Sequence, residues 1–544
     1  MFLRKIFIDE YKILENISIN FEKTSPNNIF PIISLNGGGK STLLQFIFTF
    51  LHCPFRENRF EYIRNFLQVL PIPNNDNNAT RIAKFEIEHE NQLIELEFYY
   101  ASKVYKKLNF DAILELKELK NQKNKNTELV ENISILNKLE NDIQNSQLSD
   151  ASIRRELSRF TRASHEDEVL LRTAINKTSF IDIINKYKKR FESLLLGDDE
   201  FNVLTIKAEA EQNKLKEALE AENLSYALHF NNNQNILLYK SNVKIEILAE
   251  LSDKIYLASP NTQVLQFLSD KELSRLFDNE KYTYSTYENA VKECQKNLTG
   301  LFTYEFSIIS SIIGAFQKAI AEDTAQVVET GNYGNAIKKT TEELNNFFAD
   351  KTISVDKNFK SVSFKRKDSK INLTPKDLSH GELKKLSIYI WLKNKPNNDA
   401  IILMDEVDMG LHPTWQHELA DNLQEWSFGS QYLLATHSPQ IISTAHYKNL
   451  VVLTKINETA TNSTSEQFNE SPLDSDLNTI VKTIMGGEYV PKKLQILRKK
   501  YRVFVDTNNL ESEEAQSLKQ QLLEYESENS SFFQEIKFEL AFRQ

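Results

Sequence analysis

The chain has 544 residues, of which 40 % are hydrophobic and 26 % charged, with a net charge of −10 and two cysteines, Cys53 and Cys294. That usage is ordinary for globular domains and excludes disordered, collagen-like and disulfide-stapled chains; at roughly 150 residues per domain it allows three or four structural units. The opening run Met1–Asp9 is interrupted by Arg4 and Lys5. No stretch reaches the roughly 18 uninterrupted apolar residues of a membrane span, so the expected setting is a reducing cytoplasm without membrane contact.

In chain order, apolar–polar alternation over Ile6–Tyr11 and Ile17–Phe21 predicts an opening hairpin. The apolar run Ile29–Leu35, the segment Asn36-Gly-Gly-Gly-Lys-Ser-Thr42 and the apolar-rich Leu43–Leu51 read as strand, glycine loop and helix. Lys84–Ile87 and Leu93–Tyr100 predict a second hairpin. From Asp111, leucines recur at three- and four-residue spacing among Lys, Asn and Glu, with no Gly or Pro between Phe110 and Leu196. A further charged helical stretch covers Ile206–Leu228. Two polar-rich arms in mid-chain predict a helical or short coiled-coil insertion. Strand-like alternation returns at Ile236–Tyr239, Val243–Leu248 and Lys254–Leu257, and Leu265–Phe348 is mainly helical. Ile353–Val355 and Val362–Phe364 read as strands; Ala400–Met404 is an apolar strand ending in acids, and Gln431–Ala435 one ending in Thr436-His437. Asn457–Asp476, rich in Asn, Ser, Thr and Glu, is the expected linker to a helical tail.

Four segments carry chemistry. Gly37, Gly38 and Gly39 let consecutive backbone N–H groups converge on phosphate oxygens, Lys40 is placed to reach β- and γ-phosphates, and Ser41 to ligate Mg²⁺. The first glycine usual in that pattern is here Ser34. A glycine loop alone is also a plain turn, but the strand before and the helix after favour phosphate. Ile401-Ile-Leu-Met-Asp-Glu406 presents Asp405 to a Mg²⁺ shell and Glu406 as a general base, although apolar strands ending in acids are commonplace. Leu378-Ser-His-Gly-Glu382 opens an apolar-periodic helix, as a second anion site or only as a cap. His437, directly after a strand, suits a γ-phosphate sensor, where an isolated histidine would more often be structural.

In this order the segments resemble the ABC-type ATPases of the SMC/RecF/OLD-like branch. The resemblance implies an α/β fold: a P-loop ATPase head split by a helical or short coiled-coil insertion, with a small helical C-terminal tail. The implied domains are an N-terminal lobe 1–110, the insertion 111–235, a mixed then helical region 236–350, a C-terminal lobe 351–456, a linker 457–476 and the tail 477–544. It implies ATP and Mg²⁺, catalytic roles for Glu406 and His437, and nucleotide contacts from Asn36 to Thr42 with Gln68 as the glutamine-loop residue. Ser41 and Asp405 would hold the metal, Asp408 falls in the D-loop, and Ser379, Gly381 and Glu382 would face the nucleotide of a second copy, which requires a head-to-head dimer. Ser34 and His380 depart from the family's glycines.

The continuation Leu411-His-Pro413 resembles OLD-like and defence-associated ATPases. Asp474-Ser-Asp476 lacks the buried strand that a Toprim nuclease would put before it, so no nuclease site is expected within the chain. The modest insertion and short tail resemble the PtuA group, ATPase subunits of Septu-type and retron-associated anti-phage systems. That implies a homodimer or an assembly of dimers, a separate HNH-type nuclease of the PtuB kind and, in retrons, a reverse transcriptase with its RNA–DNA hybrid. Two alternatives stand beside it: a RecF/SMC-like repair ATPase clamping duplex DNA through Lys186–Arg190 and Lys492–Arg502, and a scaffold that binds ATP without hydrolysing it.

Overall fold

Continuous apolar runs are what a strand covered on both faces requires, and Ile29–Ser34, Ile401–Asp405 and Gln431–Ala435 are buried at every position. In the computed structural model they lie side by side in parallel, Ile401–Asp405 against Gln431–Ala435 and that strand against Ile29–Ser34. The structure describes residues 1–543 except 24–27, 36, 74, 146–148, 161–170, 172–173, 175–176, 195–197, 269–272, 275–283, 305–307, 349, 357–360, 369–370, 396–398, 456–462, 468–471, 473–476 and 486–489. These divide into two compact units: 1–70, 82–97 and 242–544 form one, and 71–81 with 98–241 the other.

In the first unit the sheet runs, in spatial order, Thr80–His89, Phe2–Tyr11, Leu14–Asn20, Ser463–Gln467, Val451–Lys455, Ile29–Ser34, Gln431–Ala435, Ile401–Asp405, Ile255–Ser259 and Leu301–Thr303. The opening hairpin is antiparallel and the central strands are parallel, so the α/β class expected from the sequence is the one observed. The helix Lys40–His52 packs on the central strands, burying Leu43, Phe46, Ile47 and Phe50. On the other side of the chemistry, His380–Asn394 buries Leu386, Ile388, Ile390 and Leu392 in a core shared with Ile402, Met404 and Tyr432. The tail is a three-helix cluster, Lys492–Asp506, Glu513–Leu523 and Ser531–Arg543, around Leu497, Tyr501, Val505 and Phe533. Its basic stretch is internally neutralised in part: Arg498 donates to both carboxylate oxygens of Glu526, at 3.0 and 2.6 Å, and Arg502 pairs with Glu539.

The second unit centres on one 34-residue helix, Asp111–Gln144, packed by Lys177–Glu192 and Asp198–Glu220. Among the described residues it holds two separate cores. Leu136, Leu139 and Ile143 meet Ile153, Phe180 and Ile184, while Phe110 meets Leu215, Leu219, Ile236 and Leu238.

Three expectations are corrected. The charged helix does not reach Leu228: Asn223 takes φ +56° and the Leu224 N–H bonds back to the Leu219 carbonyl at 2.9 Å, a left-handed helix stop, after which Ser225–Phe230 pairs with Asn235–Ser241. Val243–Leu248 is no strand. The helix Ile245–Ser252 buries Leu248 and Leu251, three apart, and leaves the alternating Ile245 and Ile247 exposed. Ser463–Gln467, within the expected linker, is a strand paired antiparallel with Val451–Lys455; its Ser465 hydroxyl accepts from the Ser18 N–H at 2.8 Å and donates to the Ser18 carbonyl at 2.9 Å, so a polar composition served a strand. Asp474-Ser-Asp476 lies outside the described residues. No described helix is long and apolar enough to cross a membrane.

Phe2–Tyr11 shifts register against Thr80–His89 between Leu3 and Lys5. The backbone of Leu3 is satisfied there by a side chain: buried Gln431 accepts from the Leu3 N–H at 2.7 Å and donates to its carbonyl at 3.0 Å. Gln431→Leu keeps the volume and strands two buried backbone groups, so the denaturant midpoint should fall by the equivalent of about 1–3 kcal/mol.

Candidate functional site

The register of the parallel strands brings three loops to one edge. Asp405 is paired with Ala435 and Ala435 with Ile32, so the strands end in step, as at the ligand edge of open α/β sheets. Backbone bonds continue the alignment, from the Glu406 N–H to the Ala435 carbonyl at 3.2 Å and from the Thr436 N–H to the Ile32 carbonyl at 3.3 Å.

The first loop, after Ile29–Ser34, turns on glycines. Gly37 and Gly39 sit at φ +74° and +93°, where other L residues are strained. Gly38 is excluded from bearing a side chain for another reason: a Cβ there would lie 2.5 Å from both Cβ and Oγ of Ser34. With Ser34 in place of the usual first glycine, its side chain occupies the space that a Cβ on residue 38 would need. The Lys40 ammonium donates to Ser34 Oγ at 3.1 Å and to its carbonyl at 3.3 Å. Burial lowers the Lys40 pKa, against the charges of Asp405, Asp408 and Glu406. Ser41 and Thr42 follow in the first turn of the helix. Asn36 lies outside the described residues.

The second loop carries the acids. Asp405 is buried at the strand end, and burial pushes its carboxyl up to about 6, reinforced by Glu406 and opposed by a hydrogen bond from Ser41 and by Lys40. Its Oδ2, and Oδ1 of Asp408, are buried without a hydrogen-bond partner among the described residues. Glu406 holds φ +49°, an uncommon conformation for a side-chain-bearing residue. In the third loop the His437 N–H donates to Asp408 Oδ2 at 3.4 Å. Desolvation and then Lys40 depress the His437 pKa, against Asp408 and Glu406, so the imidazole is neutral at pH 7. Lys40, Asp405, Glu406, Asp408 and His437 thus form one electrostatic cluster. Unpartnered carboxylate oxygens beside a Lys and a loop that only glycines can make fit a triphosphate with Mg²⁺.

Ser379 caps the helix His380–Asn394. Its hydroxyl accepts from the Glu382 N–H at 3.2 Å, and Glu382 accepts from the Ser379 N–H at 2.9 Å. Burial would raise the Glu382 pKa, but the bonds from Lys351 and Ser379 bring it below the usual range. Gly381 has a packing reason to be glycine: a Cβ there would lie 2.6 Å from the Gly410 carbonyl. Gln68, at the end of the helix Phe60–Leu67, is exposed and shares no hydrogen bond with these groups among the described residues. Two residues that sequence reasoning passed over do reach the cluster. Gln416 donates to the carbonyls of Asp408 at 3.0 Å and Leu411 at 2.9 Å and accepts from Ser438 Oγ at 2.7 Å, bridging the second and third loops. Lys384 donates to the carbonyls of Glu406 and Met409. Nothing in composition or spacing marks either one.

Because the folded-state pKa of Asp405 is raised from 3.8, the folded chain binds this proton more tightly than the unfolded chain. The cost of the buried charge is absent below about pH 4, grows with pH and is complete above about pH 6. In buffer free of magnesium and nucleotide, Asp405→Asn should stabilise the chain at pH 7 by up to about 3 kcal/mol, at about 1.4 kcal/mol per pKa unit, and the gain should vanish at pH 4. Paired denaturant curves at the two pH values check it.

Two curated relatives are similar over part of the chain. One, from Vibrio cholerae serotype O1 biovar El Tor, is named Retron Vc95 probable ATPase and is 28 % identical over 116 residues, 21 % of this chain and 22 % of that protein. The other, from Escherichia coli, is named Retron Ec83 probable ATPase and is 25 % identical over 161 residues, 24 % of this chain and 29 % of that protein. The chain therefore spans less than a third of the length of either. Among solved structures, the SMC head domain from Thermotoga maritima aligns over 86 % of this chain and 100 % of that one, at 10 % identity and a TM-score of 0.35. An SMC head bound to the C-winged helix domain of ScpA aligns over 86 % and 97 %, at 11 % identity and a TM-score of 0.34. The family described as "AAA domain, putative AbiEii toxin, Type IV TA system" matches residues 35–443, a span that takes in all three loops and the Ser379 helix start, and the chain belongs to that family.

Proposed function

We propose that the chain binds and hydrolyses ATP as the ATPase subunit of an anti-phage defence complex. The observation that carries this reading is the convergence of Lys40, Asp405, Glu406, Asp408 and His437 at one strand edge, with buried carboxylate oxygens that lack hydrogen-bond partners among the described residues. The backbone N–H groups of the glycine loop and the Lys40 ammonium neutralise the phosphates, and the positive end of Lys40–His52 adds to them. Ser41 and Asp405 would hold Mg²⁺, which supplies positive charge to the phosphate oxygens when bound. Glu406 accepts the proton of the attacking water, and neutral His437 hydrogen-bonds the transferred phosphoryl group.

Ser379 and Gly381 complete the site of a second copy, so the working unit is a head-to-head homodimer or an assembly of such dimers. The defence assignment rests on the similarity to the two retron ATPases and on the PtuA-like modest insertion and short helical tail. It entails a separate HNH-type nuclease of the PtuB kind and, in a retron setting, a reverse transcriptase with its RNA–DNA hybrid. The duplex-clamp alternative loses part of its motive, since Arg498 and Arg502 are committed to Glu526 and Glu539.

Lys40→Ala should abolish ATP binding. Glu406→Gln should bind ATP normally, lower turnover by about 10²–10⁴-fold and accumulate an ATP-dependent dimer, read by phosphate release and by size exclusion with and without ATP. Turnover unaffected by either change would sink the hydrolysis reading, and a Glu406→Gln chain that stays monomeric with ATP would sink the dimer.

A further inference from the structure

Lys384 belongs to none of the four segments, yet it is buried and its ammonium is held on the loop that carries the acids. It lies two residues beyond Glu382 in the helix His380–Asn394 and is 3 % exposed. Its ammonium donates to the Glu406 carbonyl at 2.8 Å and to the Met409 carbonyl at 2.9 Å, and stands 4.1 Å from the centroid of the Tyr304 ring. An ammonium this buried is costly unless its donors are satisfied, and two carbonyls with an aromatic face satisfy it.

Both carbonyls belong to the loop that carries the proposed base. Glu406 is held at φ +49° and its carbonyl also accepts from the Met409 N–H at 3.2 Å, closing a tight turn. A left-handed side-chain-bearing residue persists where its surroundings over-determine it. Here the bond from Lys384 falls on the peptide group that directly follows the strained Cα. The same helix touches the same loop at a second point, where Gly381 admits the Gly410 carbonyl.

We propose that Lys384 is a positioning residue for the general base: its ammonium fixes the Glu406–Met409 turn and so aims the Glu406 carboxylate. Because Lys384 shares a helix with Ser379 and Gly381, the aim of the base is tied to the placement of the helix that meets the second copy's nucleotide. This rests on the reading of Glu406 as base given above.

The test uses the full chain with Lys384→Met, which keeps most of the stem and removes the charge, and Lys384→Gln, which also removes the charge but keeps an amide NH2 on a shorter stem. Each is made alone and combined with Glu406→Gln. ATP turnover is measured at saturating ATP, single-turnover hydrolysis of radiolabelled ATP resolves the slow variants, and thermal melts report folding. Both single variants should lose at least about tenfold in kcat while KM stays within about threefold, and neither should lower the residual rate of Glu406→Gln, because one contribution cannot be removed twice. If the methionine variant does not melt cooperatively, the glutamine variant decides. A wild-type chain that hydrolyses ATP beside variants with unchanged kcat, or with a full further loss on top of Glu406→Gln, overturns the role of Lys384 alone. A wild-type chain without turnover overturns the ATPase reading instead.

Discussion

Asp405, Ala435 and Ile32 lie on one line across three parallel strands, and the chemistry of the chain depends on that alignment. Parallel pairing makes the strands end at the same edge, so the loops that follow them emerge together. A two-residue slip between neighbours, about 6–7 Å at the usual strand rise, would part Lys40 from the acids. The register is secured from outside the site, by apolar residues buried on both faces of these strands and by the helices that cover them.

The cluster so assembled does not favour stability. Asp405 is buried with one oxygen unpartnered among the described residues, Lys40 is desolvated, and Glu406 holds a left-handed backbone. Each feature costs free energy in the bare chain, and under the function proposed above a bound polyanion with its cation would offset that cost. The neighbouring polar residues act differently. Ser379 with Glu382, Gln416 with Asp408 and Ser438, and Lys384 with two carbonyls form satisfied networks that hold the loops in shape. One set of polar groups is left open and the other closed, as expected where a rigid frame presents a reactive edge.

The second unit follows a different logic. A 34-residue helix with few buried side chains cannot be held by a single apolar stripe; it is anchored by a cluster near each end, one around Phe110 and one around Leu139. Between them the helix is largely polar, and that middle stretch is what reads in the sequence as a charged arm. Lys188, from the basic run at 186–190, pairs with Glu140, so charge there also serves packing between helices.

The sequence by itself determined the buried parallel strands, the glycine loop, the acids at a strand end and the capped helix, because each is a local pattern: a continuous apolar run, a backbone that only glycine can make, a Ser–Glu capping pair three residues apart. It could not determine where Val243–Leu248 and Ser463–Gln467 belong, since alternation and polarity take their meaning from which face is covered. It could not give the packing reasons for Gly38 and Gly381 either, which are atoms of Ser34 and Gly410 brought close by the fold. Lys384 and Gln416 were invisible for the same cause. They bind backbone carbonyls, which every residue carries alike, so no side-chain pattern announces them, and only the tertiary structure decided that they hold the loop on which Glu406 stands.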